Sequence, residues 1–130
     1  MQNTTELELE KRISFKPFNE SIIGGLSNNS KIIITKPSFR NRLRSTSMGA
    51  QYFDEKLNLN VILLNDKYGA RQMLKTLIHE YLHIYYESMH PKLDYTTKHA
   101  EKILEHETKN IYNNHPEILR KMCKLLFESK

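Results

Sequence analysis

Apolar residues recur along the chain with two different periods, and the period changes near residue 70. Lys31 to Thr35 reads KIIIT, a β-branched run that favours a buried strand. Met48 to Phe53 and Leu57 to Leu64 are typical of two strands, and the polar stretch Asp54-Glu55-Lys56 between them predicts a hairpin. A short helix is expected before these strands, opening at Pro17 and ending at Gly24-Gly25.

After residue 70 the apolar residues follow steps of three and four, which predicts a helix that is buried over much of its surface. The residues in this pattern are Met73, Leu74, Leu77, Ile78, Tyr81, Leu82 and Tyr85. A second helix is expected from Tyr95 or Thr96 to Tyr112, and Asn113 to Pro116 should break it before a last amphipathic helix. Because strands come first and helices follow, the predicted class is α+β, with a small antiparallel or mixed sheet.

The length and composition indicate how many domains the protein has and which kinds of partner it could bind. A chain of 130 residues has the length of one domain, and 38% hydrophobic residues can form a core, which argues against global disorder. We expect residues 1–14 to form a polar arm and residues 15–130 to form the domain. The net charge of +5 permits contact with nucleic acid or acidic surfaces without requiring it.

The composition also limits the cellular compartment that we expect and the residue types that could form a metal site. No window has the roughly 18 apolar residues of a membrane span, so no membrane partner is expected. The first twelve residues are polar and acidic, unlike a secretory signal, and together with a single cysteine they favour a cytoplasmic protein. One cysteine, Cys123, excludes an intramolecular disulfide and a zinc site built from cysteines alone. Metal chemistry would therefore depend on the six histidines.

The segment TLIHEYLHIYY places His79, Glu80 and His83 in an H-E-x-x-H pattern on the first long helix. Residues i and i+4 project from one helical face, so both imidazoles can hold one zinc ion. Glu80 would act as the general base that takes a proton from a zinc-activated water as it attacks a peptide carbonyl. The pattern also arises by chance, but its flanks are apolar here, and buried histidines beside a glutamate are costly unless something binds them.

A catalytic zinc needs a third protein ligand, and the pattern alone does not identify it. The segment KHAEKILEHETKN supplies the candidates, which are His99, Glu101, Glu105, His106 and Glu107. Glu101 follows His83 by 18 residues, a spacing that suits a glutamate-type zinc protease, and Glu107 lies nearest the apolar stripe of its helix. His90 and His115 each precede a proline and are interpreted as surface residues.

An ordered set of segments resembles the SprT-like zinc metallopeptidase domain, a family of the zincin superfamily. FNESIIGGL is similar to the family's FN…FGG.L segment, and KIIIT to its first strand. RLRSTSMGAQY and LNVILLN resemble its hairpin, and TLIHEYLHIYY resembles its TLLHE..H helix. HAEKI, at residues 99–103, is similar to its HG..F or HN..F element, with Ala100 and Ile103 departing from that pattern. The resemblance covers about residues 15–106.

The resemblance implies a zinc-dependent endopeptidase in which His79, His83 and His99 hold Zn²⁺ and Glu80 is the catalytic base. Better-known relatives cleave proteins crosslinked to DNA, so it also implies a protein or peptide substrate and DNA-associated targets. Residues 107–130 contain a single cysteine, so the zinc ribbon of many relatives is not expected in this sequence. DNA contact is therefore expected through the lysine-rich last helix and a basic loop with Arg40, Arg42 and Arg44.

Three alternatives stay open at this point. The chain could be a glutamate-type metalloprotease that uses Glu101 or Glu107 in place of His99. It could be a zinc-binding module with weak or lost catalysis, or a nucleic-acid-binding protein that carries the motif by chance. The sequence does not predict the natural substrate or the oligomeric state.

Overall fold

The structure is a computed structural model that describes residues 20–38, 43, 47–89, 92, 94–95 and 97–129. Within these residues the chain forms four helices and three strands, which confirms the α+β class. In chain order they are α1 (Glu20–Asn28), β1 (Ser30–Thr35), β2 (Gly49–Asp54), β3 (Leu59–Asn65), α2 (Ala70–Met89), α3 (Lys98–Asn114) and α4 (Pro116–Glu128). No described helix has both the length and the apolar character that a membrane span requires.

Several sequence-based expectations fall on residues outside this description. They concern the arm at residues 1–14, the helix opening at Pro17, the surface position of His90, and the basic loop of Arg40, Arg42 and Arg44. These expectations stay predictions.

The sheet is mixed, with the strand order β1-β3-β2. β1 runs parallel to β3 in a register that pairs Ser30 with Asn60, and β2 runs antiparallel to β3 with Gly49 opposite Leu64. The predicted hairpin between β2 and β3 is confirmed, and its turn includes Asn58 with a positive φ of 54°. Asparagine tolerates this left-handed conformation better than most residues. β3 is therefore the central strand and has hydrogen-bonded neighbours on both sides.

The two faces of β3 contribute to two different apolar clusters. Ile62 and Leu64 are buried in the main core together with the helices. Val61 and Leu63 face the other way and pack with Leu43 on the back of the sheet. The centre of β3 thus reads as a continuous apolar run, because both of its faces are covered.

Helix α1 continues past Gly24-Gly25, so the expectation that these glycines end it is wrong. Ile23 is fully buried, and Leu26, on the far side of the glycine pair, packs against the same core. Burial on both sides outweighs the cost of about 1 kcal/mol that each helical glycine carries. The helix ends at Asn28 instead, and the side chain of Asn29 donates a hydrogen bond to the Gly25 carbonyl at 3.1 Å.

Helix α2 lies at the centre of the molecule, between the sheet and the other helices. The predicted period is confirmed, since Leu77, Ile78 and Leu82 are fully buried. The helix approaches β2 closely at Gly49, where an added Cβ would lie 2.5 Å from Cγ2 of Thr76 and 2.9 Å from the Leu63 carbonyl oxygen. Glycine at this position is what allows strand and helix to approach each other so closely.

Helix α3 packs antiparallel to α2. Its first turn, with Glu101, lies beside His83, while Tyr112 near its end lies beside Lys75 of the first turns of α2. Its start is fixed by Thr97, whose hydroxyl accepts a hydrogen bond from the Ala100 backbone N–H at 3.1 Å. The predicted break is confirmed at the single residue His115, after which α4 begins.

Candidate metal centre

The two motif histidines lie one helical turn apart on α2 and direct the same ring atom to one place. Nε2 of His79 lies 2.6 Å from Oε1 of Glu101, and Nε2 of His83 lies 3.0 Å from Oε2. The ring centroids are 4.9 Å apart with an edge-on geometry. Both imidazoles therefore converge on a single carboxylate that comes from the first turn of α3.

These three side chains have the chemistry of a metal site. One ligand atom from each of His79, His83 and Glu101 can be chosen so that all three lie within 4.8 Å of one another, and the described residues contain no second such group. Two imidazole nitrogens and one carboxylate oxygen form a ligand set that catalytic zinc uses in other proteins. The histidine side chains are only 14% and 12% exposed, whereas that of Glu101 is 45% exposed.

The spacing of the donor atoms is close to what zinc requires. Bonds of about 2.0–2.2 Å in a tetrahedral site place ligand atoms roughly 3.3 Å apart. The nitrogen–oxygen distances of 2.6 and 3.0 Å are therefore shorter than this spacing by roughly 0.7 and 0.3 Å. The half-exposed Glu101 carboxylate has room to move back by that amount, so the residues present fit the metal.

The electrostatics of the group follow from this contact. Hydrogen bonds from His79 and His83 hold the pKa of Glu101 well below its usual range. Burial lowers the pKa of His83, but its hydrogen bonds to Glu101 and Glu87 outweigh that effect and raise the pKa to about 10. At neutral pH the pair is thus an imidazolium beside a carboxylate, and a metal ion must displace the Nε2 proton in order to bind.

The second ring nitrogen of each histidine also has a partner, which the sequence did not reveal. Nδ1 of His79 lies 3.5 Å from the hydroxyl of Thr108, and Nδ1 of His83 lies 3.4 Å from Oε1 of Glu87. Partners of this kind fix the tautomer and orientation of metal-binding histidines. The i, i+4 spacing of His83 and Glu87 is a signal that could have identified Glu87 in the sequence. No comparable signal points to Thr108.

The motif glutamate Glu80 lies in a cleft of about 430 Å³ between α2, α3 and the start of β2. Burial raises the pKa of Glu80, and the charges of His83 and His79 oppose that shift. The other lining residues are Ser47, Met48, Gly49, Gln72, Lys75, Thr76, His79, Glu101, Glu105, Thr108 and Lys109. The cleft therefore offers a partly buried carboxylate beside the histidine pair, with room for a ligand.

One wall of the cleft depends on Asn65, the fully buried last residue of β3. Its side-chain amide donates a hydrogen bond to the Ser47 carbonyl at 2.9 Å, and its backbone N–H donates to the Met48 carbonyl at 3.0 Å. The Asn65 Oδ1 in turn accepts from the backbone N–H of Lys67 at 3.1 Å. Asn65 thereby fixes the segment that leads into β2 and lines the cleft.

The other third-ligand candidates lie elsewhere. His99 is half-buried and lies outside the group formed by the described residues His79, His83 and Glu101. A step of two residues along an α-helix is a rotation of about 200° about the helix axis. His99 and Glu101 therefore lie on different faces of α3. Glu105 is exposed and lines the cleft, His106 is exposed, and Glu107 is buried, where burial raises its pKa.

Tyr95 is buried, and its hydroxyl is engaged with the backbone. Its hydroxyl donates a hydrogen bond to the Tyr86 carbonyl at 2.7 Å. Tyr86 lies in the last turn of α2. Tyr95 therefore holds the end of α2 to the residues that precede α3. The surface position predicted for His115 agrees with the structure, in which its side chain is 37% exposed and Nδ1 lies 3.2 Å from Oε1 of Glu117.

Comparisons with protein-family models, with curated proteins and with solved structures find no match to this chain.

Proposed function

We propose that this protein is a zinc-dependent metallopeptidase whose ligands are His79, His83 and Glu101. The observation that carries the proposal is the convergence of both motif histidines on the Glu101 carboxylate, at 2.6 and 3.0 Å, beside a cleft that also contains Glu80. A carboxylate from another helix completes the motif histidines into a group of three metal-ligating side chains, which a metal-free ion pair between Glu101 and the histidines would also produce. The resemblance to SprT-like domains supports the same reaction but implies His99 as the third ligand.

The chain's own residues supply binding, orientation and proton transfer. The two imidazoles and the carboxylate hold the metal, and a zinc ion bound there supplies Lewis-acid activation of water at neutral pH. Glu80 is close enough to the histidines for their charges to affect its pKa, yet its side chain is not one of the three ligands. A carboxylate with a raised pKa can accept a proton and then pass it to the leaving amine.

The decisive variant is Glu80→Gln, which removes the base and leaves all three ligands in place. We expect it to bind zinc as the wild type does and to lose roughly 10²- to 10⁴-fold in hydrolysis of a labelled unfolded protein, the range that general acid–base catalysis contributes. Glu105→Gln is the matched control, because Glu105 is an exposed carboxylate that lines the same cleft.

Two results would contradict the proposal. One is a purified wild-type protein that neither contains nor takes up zinc. The other is a Glu80→Gln variant that hydrolyses the substrate as fast as the wild type. Stoichiometric zinc without any turnover would instead favour a binding module that keeps the metal site and lacks catalysis.

DNA-associated proteins as substrates remain a prediction from the resemblance. The described last helix carries the cations Arg120, Lys121 and Lys124, which suit contact with phosphates. Binding to a DNA duplex that weakens steeply with salt and stimulates hydrolysis would support this prediction. Hydrolysis that is indifferent to DNA would restrict the proposal to free proteins and peptides.

A further inference from the structure

We infer that Glu87 is a positioning residue for the metal site, one that holds the His83 ring with Nε2 facing the metal. The inference rests on the proposed function, since it concerns the ligands named there. Glu87 lies one helical turn after His83, and its Oε1 is 3.4 Å from Nδ1 of that ring. It lies outside the three-ligand group and has no role in the H-E-x-x-H motif.

The reason lies in the two nitrogens of the imidazole. A histidine that binds metal through Nε2 carries a proton on Nδ1, and an acceptor for that proton fixes both the tautomer and the ring angle. The Glu87 carboxylate is such an acceptor for His83. Because an ionised acceptor strengthens the hydrogen bond and increases electron density at the ring, it also makes Nε2 a better ligand.

The carboxylate of Glu87 is itself held in place by a residue of the sheet. The side-chain amide of Gln51, on β2, donates a hydrogen bond to Oε2 of Glu87 at 3.4 Å. β2 reaches this position because Gly49, two residues earlier, lets the strand approach Thr76 of α2. Each oxygen of Glu87 therefore has its own partner, one on the metal-binding helix and one on the neighbouring strand.

The other histidine provides a comparison within the same site. The acceptor for Nδ1 of His79 is the neutral hydroxyl of Thr108, at 3.5 Å. That hydroxyl donates its own proton to the Leu104 carbonyl at 2.8 Å, which leaves its lone pairs for the imidazole. Both rings are thus oriented in the same sense, but only His83 has a charged partner on its far side. Loss of Glu87 should therefore cost more metal affinity than loss of the Thr108 hydroxyl.

The test measures zinc affinity by competition with a chelator, for the full chain and its variants. Loss of partners behind metal-binding histidines typically weakens metal binding 10- to 100-fold. We expect a loss in that range for Glu87→Ala, a smaller loss for Glu87→Gln, whose amide oxygen can still accept from Nδ1, and the smallest for Thr108→Val. Gln51→Ala, which frees the carboxylate without removing it, should fall between Glu87→Gln and the wild type.

A spectroscopic readout separates positioning from simple stabilisation. In the Co²⁺-substituted protein, Glu87→Ala should change the visible absorption of the metal, because the His83 ring is no longer held at one angle. Glu105→Ala is the matched control, since it removes a carboxylate from the cleft and no described hydrogen bond joins Glu105 to either histidine. This control should keep the wild-type spectrum and zinc affinity. Urea unfolding of the metal-free proteins identifies any variant that fails to fold, and Glu87→Gln preserves the size of the side chain in that case.

The outcomes distinguish this inference from the proposed function. If the wild type binds zinc and hydrolyses protein, but Glu87→Ala and Glu87→Gln retain its zinc affinity and Co²⁺ spectrum, Glu87 is not a positioning residue and the proposed function stands. The inference also fails if Glu105→Ala loses as much affinity as Glu87→Ala, because the effect is then one of charge alone. A wild type that binds no zinc contradicts both.

Discussion

Two glutamates of α3 lie six residues apart and behave in opposite ways. Glu101, in the first turn, is half-exposed, and hydrogen bonds from two histidines lower its pKa. Glu107, in the middle of the helix, is 7% exposed, and burial raises its pKa. The more deeply buried carboxylate is therefore not the one that meets the histidines, although it lies nearer the apolar stripe.

This difference indicates why Glu101 suits the ligand role proposed for it and Glu107 does not. Depth of burial favours the neutral form of a carboxylate, whereas a metal ligand must be ionised. A ligand needs a pre-formed partner of opposite charge or a hydrogen-bond donor, and it needs some freedom to adjust when the metal enters. Glu101 meets both conditions, because Nε2 of His79 and of His83 lie within hydrogen-bond distance and its side chain is half-exposed. No described hydrogen bond joins Glu107 to either histidine.

The largest effect is expected on zinc affinity, when the Glu101 carboxylate is removed and the Glu107 carboxylate is removed for comparison. We expect Glu101→Gln to lower zinc affinity by more than about 100-fold, which exceeds the usual loss from partners outside the ligand set. Glu107→Gln should leave zinc affinity near that of the wild type. Chelator competition on the purified proteins measures both.

His99→Ala belongs to the same series, because the resemblance to SprT-like domains implies His99 as the third ligand. A near-normal zinc affinity in His99→Ala would support Glu101. If His99→Ala abolishes zinc binding while Glu101→Gln retains it, the ligand set is the one implied by the resemblance and the comparison of the two glutamates loses its meaning.

A smaller effect is expected from Tyr95→Phe, which tests how the first turn of α3 is held. The variant removes the hydrogen bond from the Tyr95 hydroxyl to the Tyr86 carbonyl, and the loss of one such bond typically costs about 0.5–1.5 kcal/mol of unfolding free energy. Amide hydrogen exchange should accelerate around the end of α2 and the first turn of α3, and less around Glu107. Hydrolysis per folded molecule should be nearly unchanged. A loss of turnover that is not matched by a loss of stability would show that Tyr95 also acts in catalysis.

The smallest effect is the pH dependence of the metal-free protein, where the two glutamates should act with opposite sign. The lowered pKa of Glu101 stabilises the fold above about pH 4.5, and this contribution is lost as the pH falls further. The raised pKa of Glu107 means that its contribution is present below about pH 4.5 and is lost as the pH rises through its folded value. Solvent screens the half-exposed Glu101, so its share is about 1 kcal/mol or less.

Urea unfolding from pH 3 to 7, in the presence of a chelator, measures this contrast. Relative to the wild type, Glu101→Gln should be less stable at pH 6, and the difference should narrow as the pH falls toward 3. Glu107→Gln should become relatively more stable as the pH rises. Parallel curves for the two variants would show that their environments are alike, contrary to the structure.

Much of the fold could be predicted from local patterns. The β-branched run of β1, the hairpin, the buried period of α2 and the break before Pro116 all follow from short-range chemistry, and the structure confirms these elements. The burial predicted for β1 is wrong, because its residues are only partly buried or exposed at this edge of the sheet. The end of α1 could not be predicted in this way, because burial of Ile23 and Leu26 against distant helices outweighs the local preference of two glycines. The parallel pairing of β1 with β3 was also beyond a local pattern, since it joins residues 30 positions apart.

In the candidate site, too, some residues follow from local sequence patterns and others do not. The sequence by itself determined that His79 and His83 share one face of a helix, because the i, i+4 spacing is a property of any α-helix. It also determined that Glu80 lies next to them. It left five candidates for a third ligand, all within one segment, because a helical period does not say which face meets another helix.

Only the tertiary structure decided that Glu101 meets the histidines, that Thr108 contacts Nδ1 of His79, and that Glu107 is buried away from both histidines. The physical reason is that the rotation of α3 about its own axis is set by packing against α2 and by the start of the helix at Thr97. A rotation of one residue, about 100°, would present a different side chain to His79 and His83.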